Sequence, residues 1–475
     1  MRKPLTFLIV WCLLSTVAIA QDTTELVLPW KTYMRHVYQH HPVAQQLRLA
    51  PTLAEAELMT ARGGFDPKIK SNYRNKDYKE TEYYSLWDTK VEVPVWNFAD
   101  LKAGYENNRG YYLNPEATVP ETGLWYAGVS VPIGRGLFID SRRAAVQQAL
   151  LQLEGTEADR QKNMNKFLLQ ATKAYWEWTA AHLQFELQKE AVELARFRLR
   201  GTKQRVIQGD AAAVDTLEAN LQLQSRLLDF QQAQLDLTTA ELLIATYLWD
   251  DTGNPLQLRE GVEPETTPTM STLPRPTGLD TLLSLIPAHP ELRKLIVKSD
   301  QLDVDRRLAL ENLKPELSLE YNWLWTSGTS LGEVLPAWDQ DYKWGGTFAI
   351  PIFLRKERGK LQQVRVKSAQ IDLEVDYLEQ SLTNQLRQQH TQWLQYRQMQ
   401  SQARDMASQY AQLLAAERQR FQTGESSLFL VNSREIKYLE ARSKVIDLQA
   451  KEGKALAELW DRSGVLEVLW QDVVE

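Results

Sequence analysis

The chain has 475 residues, of which 43% are hydrophobic and 24% are charged, and its formal net charge is -6. This length would suit about three ordinary domains. The mild acidity argues against the broad basic surface that nucleic acid needs, so no nucleic-acid partner is predicted. A mean hydropathy of -0.42 excludes a bundle of membrane-spanning helices. The single cysteine, Cys12, excludes an internal disulfide and a cysteine-based metal site.

Residues 1–20 are predicted to be a secretory signal peptide. The basic residues Arg2 and Lys3 precede an apolar run from Leu5 to Leu14, and Ala18-Ile19-Ala20 forms a small-residue cleavage site. The alternative is an uncleaved anchor helix. The pattern favours an exported protein whose mature chain contains no cysteine.

The distribution of proline predicts two long helical blocks. None of the 19 prolines falls in residues 133–254 or 352–475, and proline is costly inside helices. From Phe167 to Leu199, mostly apolar residues recur at alternating steps of four and three, which is the spacing of a coiled-coil seam. A helix from Ser141 to Gln208 would be roughly 100 Å long.

Each block contains one glycine turn, so each is predicted to be a helical hairpin. The turns lie at Gly209 and Gly424, and glycine readily takes the left-handed conformation that ends a helix. The hairpins then span about residues 137–249 and about residues 356–463.

The two halves of the chain repeat each other. His41-Pro42 matches His289-Pro290, and Val131-Pro132-Ile133 matches Ile350-Pro351-Ile352, in the same order as the glycine turns. This order predicts a duplication. The predicted plan is a first repeat at 21–250, a linker at 251–278, a second repeat at 279–465 and a C-terminal tail at 466–475. The linker is either an ordered strap across the surface or a loose connector.

Strand patterns lie in the proline-containing parts, at about residues 67–133 and about residues 315–353. Apolar and polar residues alternate there over runs of about 10 residues, which suits a strand that crosses a membrane. A half-buried strand of a soluble sheet remains the alternative, and the aromatic residues near strand ends favour the membrane. The residues expected to face lipid are Leu317, Leu319, Tyr321, Trp323, Trp344, Phe348 and Ile350.

Each repeat supplies two clear strands, so one chain would supply four. Four strands cannot close a barrel in a bilayer, because lipid tolerates no open sheet edge. Several chains must therefore share one barrel. The long segment from Asp77 to Glu121 is interpreted as an extra extracellular loop, with an added strand pair near Trp87–Val95.

The duplicated His-Pro segments, the two Pro-Ile junctions and the hairpin turns together resemble the TolC-like outer-membrane efflux protein family. The segment from Gly209 to Ala219 is similar to that family's glycine turn and returning helix, and Gly424–Leu428 is a looser match. The resemblance implies a mainly α fold with membrane β. It further implies a homotrimer with a shared twelve-stranded β-barrel and an α-helical tunnel through the periplasm. It also implies outer-membrane lipid, a periplasmic adaptor (membrane fusion protein) and an inner-membrane pump of RND or ABC type as partners.

The resemblance places a periplasmic aperture just after the hairpin turns. The matching positions are Asp215 and Glu218 in the first repeat and Leu430 and Ser433 in the second. The alternative for Asp215 is that it caps the returning helix, since Asp is a favoured capping residue. The turns at Gly209 and Gly424 are the expected adaptor-docking tips.

The sequence offers no catalytic, cofactor or metal constellation. His36, His40 and His41 are close in sequence, but no carboxylate or cysteine set accompanies them, so a metal site is not predicted. The predicted function is a passive outer-membrane channel of a tripartite efflux or type I secretion system. The alternatives are a periplasmic coiled-coil scaffold or adaptor without a barrel, and a secreted enzyme with a helical appendage.

Overall fold

A computed structural model describes residues 27–95, 99–259, 261–266, 275–276, 278–326 and 340–474. The predicted signal peptide lies outside these residues, and so does part of the predicted linker.

Long helices dominate the described chain. Two short helices, α1 (Trp30–His40) and α2 (Pro42–Arg62), precede the first hairpin, α3 (Ser141–Gln208) and α4 (Ala213–Ala245). The second repeat has α5 (Leu279–Leu283) and α6 (Pro290–Glu311), then the second hairpin, α7 (Arg355–Gln422) and α8 (Leu428–Arg462), and finally α9 (Leu466–Val474). The prediction of a helix from Ser141 to Gln208 is confirmed.

The repeated His-Pro pairs begin equivalent helices. His41 precedes α2 and its Nδ1 accepts a hydrogen bond from the backbone N–H of Val43 at 3.1 Å. His289 does the same before α6, where Nδ1 accepts from the N–H of Glu291 at 3.2 Å. Burial lowers the pKa of both imidazoles, which favours the neutral ring that can accept this bond. Proline follows because the first helical position needs no N–H.

The main core lies at one level along the helices. Trp30 of α1 packs on Trp470 of α9 with ring centroids 4.4 Å apart, and both side chains are about fully buried (1% exposed). Tyr33 and Tyr175 pack beside them at 5.3 Å. Residues 466–475, expected as a tail, thus include a helix that contributes to this core.

The two hairpins form a layer of four helices. α3 contacts α4, α7 contacts α8, and α3 also contacts α8. The layer therefore has the order α4-α3-α8-α7, with α4 and α7 at its two edges. Between Trp249 and the start of α5, a two-residue strand β6 (Glu263–Pro264) pairs in parallel with β1 (Val27–Leu28). This part of the predicted linker is ordered.

The sheet contains six strands within the described residues. They are β2 (Lys68–Tyr78), β3 (Thr81–Pro94), β4 (Asp100–Arg109), β5 (Leu124–Pro132), β7 (Glu316–Thr326) and β8 (Tyr342–Ala349). Their spatial order is β2-β3-β4-β5-β7-β8, and every pair is antiparallel. The β5–β7 pair joins the two repeats.

The segment Asp77–Glu121 differs from its prediction as an extracellular loop with a small strand pair near Trp87–Val95. It contributes two complete strands, β3 and β4, so the first repeat supplies four strands and the second two. The charged residues on one side of these strands obscured their alternation in the sequence.

The predicted lipid-facing residues share one face of the sheet. Leu319 lies opposite Gly346, Tyr321 opposite Trp344, and Leu317 opposite Phe348. Trp344 and Phe348 are each 67% exposed and Leu319 is 45% exposed. Ile350 is also exposed and lies just beyond the end of β8.

Candidate functional site at the hairpin turns

Two glycines with the same backbone conformation end the first helix of each hairpin. Gly209 and Gly424 both have φ +82°. After each glycine, the next N–H bonds back to a carbonyl of the last helical turn, from Asp210 to Arg205 at 2.9 Å and from Glu425 to Arg420 at 2.8 Å. An added Cβ would meet no atom within 4 Å at either glycine. The positive φ, not crowding, is therefore what requires glycine.

Asp215 has a structural contact at the start of α4. Its Oδ2 accepts a hydrogen bond from the backbone N–H of Ala212 at 3.3 Å. Asp215 is in the first turn of the helix, and Ala212 precedes it without a side chain that could cap. The alternative role of Asp215 as a capping residue thus has support, at the third helical position instead of the first. Its half-buried side chain keeps a charge close to the turn.

Only one of the predicted aperture residues contacts the opposite hairpin through a hydrogen bond described here. Glu218 of α4 accepts from Nδ2 of Asn432 on α8 at 3.5 Å. Leu430 is exposed, and its N–H bonds to Oγ of the helix cap Ser427 at 3.3 Å. Ser433 follows Asn432 on α8 and is half-buried.

A group of charged and polar residues connects all four long helices near the turns. We call this group the tip cluster; it consists of Arg198, Glu218, Arg418, Asn432 and Glu435. Arg198 of α3 donates from Nη1 to Oδ1 of Asn432 at 2.5 Å and from Nη2 to Oε2 of Glu435. Arg418 of α7 donates to the same Oε2 at 3.2 Å.

Glu435 is the centre of the tip cluster. Its side chain is 1% exposed, and that of Arg198 is 13% exposed. A buried carboxylate is costly unless cationic donors compensate it, and here two arginines from different hairpins do so. The cluster therefore links the first hairpin to the second, because the buried carboxylate of Glu435 needs an arginine from each.

A second set of contacts holds the turn of the second hairpin. Glu417 of α7 accepts from Oγ of Ser426 at 2.5 Å and lies 3.7 Å from Nε of Arg434. Arg205 of α3 stacks over the ring of Phe421 at 5.1 Å. The two turns thus lie at the same end of the helix layer.

Sequence reasoning missed Arg198 and Glu435. Neither residue is among the predicted aperture positions. Arg198 lies 237 residues away from Glu435 in the chain. The one available signal was that Asn432 and Glu435, at positions i and i+3, share a face of their helix with apolar residues such as Leu439.

The part of the chain that the structure describes contains no group of three or more His, Cys, Asp or Glu side chains placed to hold a metal ion. Among its helices, none combines the length and the apolar composition that a membrane crossing would require.

Comparison with known proteins identifies relatives of this arrangement. The family model for outer membrane efflux proteins matches residues 101–248 and 284–464. No curated protein sequence matches the chain.

Solved structures share the fold at low sequence identity. The CmeC outer membrane channel of Campylobacter jejuni is 12% identical, with a TM-score of 0.63 over 93% of this chain and 88% of that one. A membrane protein from Pseudomonas aeruginosa is 13% identical, with a TM-score of 0.66 over 92% and 91%. The MtrE outer membrane channel of Neisseria gonorrhoeae, solved in an open state, is 14% identical, with a TM-score of 0.60 over 93% of each chain.

Proposed function

Because the chain belongs to the outer membrane efflux protein family, we propose that it is the exit channel of a tripartite efflux or type I secretion system. Small molecules or proteins would reach it from an inner-membrane pump of RND or ABC type, through a periplasmic adaptor. The channel itself would be passive, because the energy for transport comes from the pump. The scaffold or adaptor alternative is not favoured, since this family and its structural neighbours are outer-membrane channels.

The observation that carries this proposal is the junction of a two-faced sheet with very long helices. One face of β7 and β8 exposes large apolar side chains such as Leu319 and Phe348. β8 leads within a few residues into α7, which has 68 residues and is thus roughly 100 Å long. A sheet of this kind suits lipid, and helices of this length suit a duct that extends across the periplasm.

Exposed apolar stripes at the edges of the helix layer support a trimer. On α4, leucines at seven-residue intervals are each about 60% exposed, with individual values of 58% to 67%; they are Leu221, Leu228, Leu235 and Leu242. On α7, Met399, Met406 and Leu413 recur at the same interval and are also exposed. Seven-residue repeats are the pattern of helices that pack along a seam. The α4 edge of one copy would therefore pack on the α7 edge of the next.

The hairpin turns would form the periplasmic end of the duct. In this proposal Asp215, Glu218, Leu430 and Ser433 line the aperture, and Gly209 and Gly424 shape the tips to which the adaptor docks. The tip cluster would hold the two hairpins of each copy together at that end. Opening the aperture would then require a change in the contacts around Glu435.

Extraction of the outer membrane in mild detergent tests the channel. We expect a trimer that dissociates on heating and forms ion-conducting pores in planar bilayers. A monomeric or periplasmic protein without conductance would refute the channel and support the scaffold.

The docking tips can be tested separately with a matched pair of glycine variants. Gly209→Val forces a β-branched residue into positive φ, which is strongly disfavoured. Gly201→Val lies on the same helix, also in open space but without a positive φ. We expect Gly209→Val to reduce adaptor cross-linking and export with an unchanged trimer, and Gly201→Val to preserve both. Equal export by the two variants would contradict docking at this tip.

A further inference from the structure

The hairpin formed by β3 and β4 extends over the full height of the sheet. Its turn is closed by a hydrogen bond from the N–H of Val95 to the carbonyl of Ala99 at 2.8 Å. The next residue, Asp100, forms an ion pair with Arg142 in the first turn of α3, with Oδ1 and Nη2 3.2 Å apart. This turn therefore lies at the end of the sheet from which the helices begin. A loop on the opposite, outer side could not make this contact.

The hairpin has the same two faces as the strands on either side of it. On β3 the apolar side carries Trp87 and Val91, and on β4 it carries Leu101, all exposed. The register places Val91 opposite Ile69 of β2 and Leu101 opposite Val129 of β5. The apolar face thus extends from β2 to β8, and the polar pair that it contains, Ser71 and Thr89, is joined by a hydrogen bond at 2.7 Å.

A row of aromatic residues crosses this face at one height. Tyr73 lies opposite Trp87, whose ring is 6.1 Å from that of Tyr105, and Tyr105 is 4.9 Å from Trp125. Trp125 in turn lies opposite Trp325 of β7.

The residues immediately beyond that row, on the same face, are polar. Asn75, Ser85 and Asn107 are the next residues on the same face of β2, β3 and β4. An apolar band that ends in an aromatic row is typical of a membrane interface. β3 and β4 share this boundary with the strands next to them.

The opposite face joins the hairpin to its neighbours by ion pairs. Nζ of Lys102 on β4 lies 3.0 Å from Oε2 of Glu320 on β7, across the intervening β5. Glu92 of β3 accepts from Lys70 of β2 at 2.5 Å and lies 3.1 Å from Lys90. Charged residues on one face and apolar residues on the other suit a strand between a water-filled interior and lipid.

We propose that all six strands of each copy belong to one shared barrel, which three copies close with eighteen strands. The number is the product of three copies and the six strands of the sheet. This inference rests on the proposed trimeric channel and adds the strand count and the joint between copies. The joint pairs β2 of one copy with β8 of the next.

The second copy is the occupant that fits both edges of the sheet. Every residue of β2 and of β8 is exposed, so neither outer edge has a partner within the described chain. Because the number of strands is even and all pairs are antiparallel, β2 and β8 run in opposite directions and pair without breaking the pattern. Lipid excludes an open edge. The edge of the helix layer formed by α7 continues from β8, so the same neighbour covers both.

The strands beyond the predicted four are β3 and β4, the hairpin within Asp77–Glu121, and the family model matches only part of the sheet. Its first matched segment begins at residue 101, so it contains β5 and nearly all of β4, and the second contains β7 and β8. β2 and β3 lie outside. Since barrel diameter grows roughly linearly with strand number, eighteen strands give about one and a half times the width of twelve. The proposed channel would therefore have a wider outer mouth than a twelve-stranded barrel.

Single cysteines test whether the hairpin lies in the membrane, because the predicted mature chain has none. Val91→Cys and Lys90→Cys are neighbours on opposite faces of β3. With purified trimer in lipid vesicles, we expect a hydrophilic maleimide to label Lys90→Cys but not Val91→Cys. Strong labelling of both would mean that β3 is an external loop and would overturn the proposal.

Matched positions on β7 separate this outcome from failure of the channel itself. Leu319→Cys should be protected and Ser318→Cys labelled, as for any strand of a membrane barrel. If Leu319→Cys is also labelled, the proposed channel is wrong as a whole. If Val91→Cys is labelled and Leu319→Cys is protected, the result supports the channel and contradicts the eighteen-stranded barrel.

Cross-linking tests which strand forms the joint. Thr347→Cys on β8 is combined in turn with Lys70→Cys or Asn72→Cys on β2, because the shear of the barrel leaves the register open. We expect at least one of these pairs to give covalent trimers on oxidation. Lys102→Cys with Thr347→Cys should give none, since β4 is covered by β3. If Lys102→Cys with Thr347→Cys is the one pair that gives covalent trimers, β8 pairs with β4 of the next copy, and β2 and β3 lie outside the barrel.

Discussion

Removal of Arg198 should loosen the link between the two hairpins. Arg198→Met preserves much of the side-chain stem but leaves Glu435 with Arg418 as its only arginine donor among the described contacts. Breaking a buried ion pair from one side costs about 3 to 5 kcal/mol. Because Arg418 remains at 3.2 Å, we expect the lower end, about 3 kcal/mol.

Backbone hydrogen exchange of the purified trimer can measure this cost locally. Opening free energies report the stability of separate parts of a fold. A loss of about 3 kcal/mol corresponds to roughly a hundredfold faster exchange, since about 1.4 kcal/mol is a factor of ten. We expect this acceleration in the helix ends next to Gly209 and Gly424 and not in the sheet.

Two control variants distinguish the buried pair from a general effect of losing an arginine. Arg196 is on the same helix, but its ion pair with Glu193 is exposed at both ends, and such pairs contribute about 0 to 1 kcal/mol. The double variant Arg198→Met with Glu435→Leu removes both buried charges and should recover most of the loss. If Arg198→Met exchanges no faster than Arg196→Met, the tip cluster does not hold the hairpins together.

Three further predictions concern insertion, packing and pH. Leu319→Arg should reduce inserted trimer in outer-membrane fractions, because a charge facing lipid costs about 2 to 4 kcal/mol near the bilayer centre; normal insertion would count against a lipid-facing position. Gly453→Ala should lower thermal stability by about 1 to 3 kcal/mol or more, because the new Cβ would lie 2.2 Å from Cε2 of the buried Trp176. Burial raises the pKa of Asp461 to about 6, so the fold binds a proton that the unfolded chain releases near pH 4. Stability should therefore decrease as the pH rises from about 4 to 6, by at most about 3 kcal/mol. In Asp461→Asn this slope in denaturation midpoints should disappear, and an unchanged slope would contradict the assignment.

Periodicity in the sequence was sufficient for the long helices and for the strands of the second repeat. Proline is excluded from long helices for a local steric reason, so its absence from 133–254 is informative without any tertiary knowledge. The apolar residues from Leu317 to Trp323 alternate with polar residues of which only Glu320 is charged, which makes the pattern easy to recognise. The helix from Ser141 to Gln208 and the strand from Glu316 to Thr326 follow these signals closely.

The hairpin of β3 and β4 was harder to predict because its polar side is strongly charged. Asp88, Lys90 and Glu92 alternate with Trp87, Thr89, Val91 and Val93, but a charged run is also typical of an exposed loop. What identifies the strands is pairing with β2 and β5, which the sequence alone cannot supply. The partner strands supply contacts for these charges, since Glu92 pairs with Lys70 of β2 and Asp88 accepts a hydrogen bond from the hydroxyl of Tyr126 on β5. Tertiary context therefore decided the outcome here.

The candidate site was predictable only where it depends on local backbone geometry. Gly209 and Gly424 could be located because a left-handed helix end requires glycine or a residue close to it. Arg198 and Glu435 could not, because the pair of Asn432 and Glu435 does not reveal a partner that lies 237 residues away in the chain. Their significance arises from the packing of α3 against α8, which buries one carboxylate between two hairpins.

Asp215→Asn separates a gating role from a capping role at the start of α4. The hydrogen bond from the N–H of Ala212 at 3.3 Å needs only one oxygen, which asparagine retains, and Asn and Asp are similar as capping residues. The loss of charge from the first turn should cost at most about 1 kcal/mol through the helix dipole. Assembly should therefore be unchanged.

Conductance of the same variant in planar bilayers then reports on the aperture. A ring of three Asp215 carboxylates, one from each copy, would favour cations, so we expect Asp215→Asn to lower cation preference and change single-channel conductance. Asp210→Asn is the matched control, because Asp210 is exposed in the turn itself and loses the same charge outside the helix. If both variants conduct with the selectivity of the original protein, Asp215 acts as a capping residue alone. The constriction would then have to be formed by Leu430 and its neighbours on α8.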